Sequence, residues 1–175
     1  LASPAAAESE AAVAKSAART EPVPHRIGFG RRVPDAATPA ATRALLQWQA
    51  MDGGRRAAAL SVSSPQAAAV RLGVLVRALP AAATLRVYAQ DADSGYEVAA
   101  ADVLDTIRAN RAAGDASDAA RTWWAPAIQG QEATLEVELP PGADPAQVDI
   151  ALPGLSHLFA LPEQDAVTPK IGESG

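Results

Sequence analysis

His25 and His157 are the two histidines of the chain, and neither lies in an HxxxH or HExxH spacing that would hold a metal. Serines and carboxylates are numerous enough to complete a Ser-His-Asp set, but no Gly-x-Ser-x-Gly elbow presents a serine for attack. His157, between Ser156 and Leu158, has the pattern of a partly buried strand residue. Glu136 and Glu138 stand two apart, which places both carboxyl groups on one face of a strand. Such a pair can do general acid–base work, but its commoner role is a solvated sheet face. Asp91, Asp93 and Gly95 have a weak likeness to a calcium loop, yet position twelve is Asp102 where that loop needs glutamate. Gly28 and Gly30 lie among arginines, but no strand-to-helix context makes them a phosphate cradle. Trp48, Trp123 and Trp124 are able to stack on a sugar or fill a partner's pocket. With aromatics at only 4% of the chain, their first use is core and edge packing. These residues point to no metal site, no cofactor and no catalytic centre, and so to a protein that is not itself an enzyme.

The elements that position these residues are mostly strands. Residues 122–140, TWWAPAIQGQEATLEVELP, carry the clearest signal. Two adjacent tryptophans on an extended backbone send one indole to each face. Pro126 interrupts, Gln129-Gly130-Gln131 turns, and then Ala133, Leu135, Val137 and Leu139 alternate with Thr134, Glu136 and Glu138. Pro140-Pro141-Gly142 ends the strand. Upstream, Leu45, Leu46 and Trp48 lead to a hairpin signal at Met51-Asp52-Gly53-Gly54. Strands are expected at 55–64, 68–79 and 84–89, the second with Val70, Leu72, Val74 and Val76 on its buried face. Residues 91–95 read as a polar turn and residues 34–43 as a Pro- and Ala-rich connection. The expected helix is 100–113, with Val103 and Ile107 on its apolar side and Gly114 at its C-terminal end. Residues 148–152 and 155–159 read as two further strands. Short strands separated by turn signals, with one short helix, indicate an all-β antiparallel sandwich of jelly-roll type with flexible termini.

Composition sets the outer limits. The 175 residues suffice for one domain with a core built largely from Val, Leu, Ile and Ala. A net charge of −5 supplies no electrostatic attraction to nucleic acid or to an anionic membrane. There is no cysteine, hence no disulfide and no thiolate metal site. Residues 1–24 hold almost nothing large to bury and read as a flexible arm, with residues 25–160 as the sandwich and 161–175 as a polar linker. The opening LASPAAA has the look of a chain end left after an export signal is removed, which suits a secreted or periplasmic protein.

Four segments together carry a family resemblance. They are Arg26-Ile27-Gly28-Phe29-Gly30-Arg31, Ser64-Pro65-Gln66-Ala67 leading into Val70-Arg71-Leu72, the double-tryptophan stretch, and Leu155-Ser156-His157-Leu158. In this order, over residues 25–175, they resemble the N-terminal pro-region of secreted bacterial trypsin-like serine proteases, in particular the lysyl endopeptidase group. Thr168-Pro169-Lys170 followed by Ile171-Gly172 is similar to the processing junction, although that group begins its mature chain with glycine. The resemblance implies a non-catalytic part of a larger precursor. Its partner is the cognate catalytic domain, which it helps to fold and keeps latent until cleavage near Lys170 and Ile171. No catalytic residue of that domain falls within this chain.

Thirteen arginines accompany only two lysines, Lys15 and Lys170, both outside the segments read as folded. Absence of target sites for a lysine-specific protease explains this pattern, and a coding bias toward Ala and Arg explains it equally. On the residues alone, a second class stays open: a stand-alone sandwich binding a glycan or protein through Trp48, Trp123 or Trp124.

Overall fold

Ten strands, two short α-helices and three single-turn 3-10 helices account for the regular structure of the described residues in the computed structural model, which describes 27–93 and 95–160. The 1–24 arm, His25, the linker from 161 and the Lys170–Ile171 junction lie outside the described residues. One antiparallel sheet joins β1 (Gly28–Arg32), β10 (Asp149–Leu158), β4 (Ala69–Ala78) and β7 (Thr122–Trp124) in that order, with β8 (Ile128–Gln129) also on β4. The other runs β2 (Gln49–Ala50), β3 (Arg56–Ser63), β9 (Glu132–Leu139), β5 (Thr84–Tyr88) and β6 (Gly95–Ala99). The fold is an all-β sandwich.

Period-2 alternation explains why the two sheets face each other. On β9, Ala133, Leu135, Val137 and Leu139 are all buried, and on β4 so are Val70, Leu72, Val74 and Val76. These two rows belong to one apolar cluster, joined by Leu85 and Val87 of β5 and by Ile150, Leu152 and Leu155 of β10. The stretch from Thr122 to Leu139 serves both sheets. β7 and β8 lie along β4 on either side of Pro126, with the Ala125 amide donating to Leu72 O between them. Gly130, at φ 106°, then turns the chain into β9. A left-handed backbone angle of that kind favours glycine. The paired indoles separate as alternation requires: Trp123 is opposite Val74 and packs on the core, while Trp124 is opposite Gly73 on the outer face.

Three features differ from the sequence reading. Among the described residues there are two α-helices rather than one. The additional one, α1 (Pro39–Leu45), replaces the expected 34–43 connection because Thr38 caps it, its hydroxyl accepting from the Ala41 amide, with Pro39 at the first turn. Too few large apolar residues mark its period for that cap to stand out in the sequence. Residues 95–99 form the edge strand β6, which is mostly exposed and so lacks apolar alternation. The two strands expected at 148–159 are one strand, β10, whose irregular register between Ala151 and Gly154 absorbs Pro153. The hairpin signal at Asp52-Gly53 connects β2 to β3 as expected, and the second helix, α2 (Ala100–Ala112), buries Val103 and Ile107 before Gly114 at φ 97°.

Leu135 is 1% exposed at the centre of this core. Replacing it with Ala should destabilise the chain by about 2–5 kcal/mol. Urea titration checks this, and a loss below about 0.5 kcal/mol would mean that β9 is not the central strand.

Candidate functional site

The outer face of the second sheet gathers Glu136 and Glu138 with residues that no linear motif joins to them. Arg86 stands between three carboxylates because its strand lies between β9 and β6, where it is in register with Glu136 and Glu97. Its Nη1 donates to Glu138 Oε2 at 2.7 Å and Glu136 Oε1 at 3.0 Å, and its Nε to Glu97 Oε2 at 2.7 Å. Arg55, from the turn before β3, donates to Glu138 Oε1 at 2.8 Å, and the Tyr88 hydroxyl donates to Glu136 Oε2 at 3.1 Å. The Glu138 side chain is only 12% exposed.

Charges follow from these contacts. The Arg86 guanidinium, helped by Arg55, holds the Glu138 carboxyl below the usual glutamate value against the opposing effect of burial. Hydrogen bonding to Glu138 in turn raises Arg86 beyond its ordinary value. Burial, then the bond to Glu136, raises the Tyr88 phenol. Both glutamates are thus engaged by cations or a hydroxyl donor, and the pair acts as a cross-strand brace rather than as an acid and a base. The sequence held one usable signal for this brace: Arg86 and Glu97 face each other across the β5–β6 hairpin.

A second constellation lies where β3 ends. Ser64 Oγ is 2.8 Å from His157 Nδ1 and accepts from Arg31 Nη1 at 3.1 Å. Phe29 stacks on the imidazole at 4.6 Å between centroids, and Phe159 meets it edge-on. His157 lies on a strand but is more completely buried than its pattern suggests, and Ser64 is 0% exposed. A hydroxyl without access to a substrate makes a poor nucleophile. The geometry instead ties the end of β3 to β10 and β1 through a satisfied buried polar group.

The three tryptophans are not brought into one site. Trp48 and Trp123 pack partly buried against the core, whereas Trp124 is 42% exposed, its ring lying over Gly73 and 5.7 Å from the Arg71 guanidinium carbon. Arg71, which carried no chemical signal in the sequence, is fixed there by an Nε bond to Ala125 O at 2.9 Å. A cleft of 390 Å³ between β1 and β3, floored by Leu60, Val62 and Leu155, holds no catalytic grouping. Among the described residues no three His, Cys, Asp or Glu side chains are placed to hold a metal, and Asp91 and Asp93 are no exception. No described helix is long and apolar enough to cross a membrane.

Fold and surface together define an all-β sandwich whose polar clusters brace its own strands and whose exposed aromatic–cation pair faces outward. The chain matches the family model described as the lysyl endopeptidase N-terminal domain over residues 1–159, and it belongs to that family. It is accordingly an N-terminal pro-region of a lysyl endopeptidase. No curated protein and no solved structure matches it.

The brace has a pH signature. A carboxyl whose folded pKa is depressed contributes stability above its unfolded value and loses it as pH falls through the folded one. Wild-type stability should therefore decline below the ordinary glutamate value near 4.5. Glu138→Gln should be less stable at pH 7 by about 1–3 kcal/mol and should lose part of that acid dependence. Chemical denaturation at several pH values checks this, and superimposable profiles would dismiss the brace as a source of stability.

Proposed function

We propose that this chain is the pro-domain of a secreted, lysine-specific serine endopeptidase, that it assists folding of the catalytic domain and keeps it latent, and that cleavage after Lys170 releases it. The family match over residues 1–159 carries this reading. The physical logic is twofold. A catalytic domain dominated by long-range strand pairing folds slowly. A prefolded partner that binds only the native-like state stabilises it by mass action. The sandwich suits that role, since its own core and braces need no contribution from a second domain. The same bound surface blocks substrates until the connection is cut.

The distribution of lysine is compatible with the reading, as it is with a coding bias. Between Lys15 and Lys170 there is no lysine, so the folded body offers a lysine-specific protease no site while the junction offers one. A pocket that reads lysine pairs the ammonium with a buried carboxylate, and leaving that carboxylate unpaired is costly. Export fits the same scheme, with the pro-domain accompanying its protease out of the cytoplasm. A glycan- or protein-binding module built on the tryptophans has less support, because Trp48 and Trp123 are packed on the core and only Trp124 is exposed.

In the full precursor, Lys170→Ala or Lys170→Glu should stop or greatly slow release of the pro-domain without unfolding it. Lys170→Arg should be cut more slowly, because a planar fork does not replace a compact ammonium. Gel analysis of precursor variants, with and without added wild-type protease, checks this. Processing of Lys170→Ala at the wild-type bond and rate would remove Lys170 from the mechanism.

A further inference from the structure

The outer face of the β1–β10–β4–β7 sheet is a nearly bare strip with two standing cations. Its rows follow from the register: Gly30, Ser156 and Arg71 form one, and Arg32, Gly154, Gly73 and Trp124 the next. The glycines have different reasons to be there. A Cβ on Gly28 would come within 2.3 Å of His157 O, so the backbone itself excludes a side chain there, and one on Gly73 would press on the Trp124 ring at 3.0 Å and displace it from its place over the strand. Gly30 is otherwise. A Cβ there would meet nothing within 4 Å, and its φ is not positive. Glycine inside a strand sacrifices stability, and where the fold does not require it, it marks a place where another backbone approaches closely.

The side chains beside that opening are prepared for an anion. Arg71 is held by its Nε bond to Ala125 O and by the indole of Trp124, which leaves both Nη groups without a hydrogen bond among the described residues. Arg32 is exposed and equally unengaged among the described residues. No carboxylate occupies either row, although the chain carries a net charge of −5 and the opposite sheet shows Glu97, Glu136 and Glu138 on its outer face. An exposed tryptophan with an oriented arginine is the composition that concentrates binding energy at protein interfaces. The chain leaves the sandwich at Phe159, whose amide donates to Ile27 O at the end of this same strip, and runs on to Gly175. The ten residues from 161 to Lys170 span at most roughly 36 Å, so a catalytic domain that begins after Lys170 is held near the end of this strip at high effective concentration.

We propose that the strip around Gly30, Arg71 and Trp124 is the surface that grips the catalytic domain of the same precursor, receiving an acidic segment whose carboxylate meets Arg71 and whose backbone lies against Gly30. This rests on the pro-domain reading above. Charge on the strip speeds encounter and fixes orientation, and Trp124 supplies the desolvated contact.

The test titrates the 175-residue chain into the mature cognate protease, inactivated by replacement of its nucleophilic serine, and follows the heat of binding. Arg71→Glu, Trp124→Ala and Gly30→Val should each weaken binding by roughly tenfold or more. Ala59→Lys, on the other sheet, should bind as wild type does. Gly30→Val is the decisive variant, since its side chain enters open space and its urea midpoint should not fall. Added salt should weaken the wild type more than Arg71→Gln. Wild-type binding that survives Gly30→Val and Arg71→Glu but fails in Ala59→Lys would overturn the strip and leave the pro-domain reading intact. No binding by the wild-type chain would overturn both.

Discussion

Everything in this molecule depends on the burial of one aliphatic row against another. Ala133, Leu135, Val137 and Leu139 of β9 share a core with Val70, Leu72, Val74 and Val76 of β4, and these are the central strands of their respective sheets. With aromatics at 4% of the sequence, no large ring can compensate for a poor fit between these rows. Branched aliphatics on both strands supply that fit because they suit a pleated surface. The chain also links the rows covalently at short range, since residues 122–139 pass from the edge of one sheet to the centre of the other through Gly130.

Once the inner faces are committed to the core, the outer faces are free to differ, and they do. The β9 side is acidic and self-satisfied, with Arg86 and Arg55 neutralising most of the carboxylate charge across three strands and a turn. Such a lattice stiffens the sheet and offers little to a partner. The β4 side is shaped by glycine and serine, with arginine side chains that reach outward and an indole laid flat over Gly73. One sheet therefore holds itself together while the other has the bareness expected of a surface intended for contact.

The central strands were legible because one buried face and one wet face leave a period of two in the sequence, as β4 and β9 show. The double tryptophan was equally readable, its two indoles facing opposite ways for a purely geometric reason. Elements that depend on little apolar burial escaped. α1 is held by the Thr38 cap and by the Thr42 hydroxyl donating to Ala36 O, and β6 is a mostly exposed edge. Pro153-Gly154 looked like a break, yet β10 carries it as an irregularity because its neighbours pair on both sides. The polar clusters were the least visible. Ser64 meets His157 across 93 positions and Arg86 meets Glu138 across 52, separations at which only the fold makes residues neighbours. The family resemblance rested on segment order, and the family match covers residues 1–159, ending before the Lys170–Ile171 junction.

Recognition by this sandwich of the native-like form of its own catalytic domain is open to direct test. The most direct measurement dilutes denatured mature protease into refolding buffer with and without an equimolar amount of the separate 175-residue chain, and then assays a lysyl amide substrate before and after the chain is digested away. The yield of folded protease should be higher when the chain is present, with activity suppressed until the chain is removed. Equal refolding yields together with uninhibited hydrolysis would mean that the sandwich neither assists folding nor maintains latency.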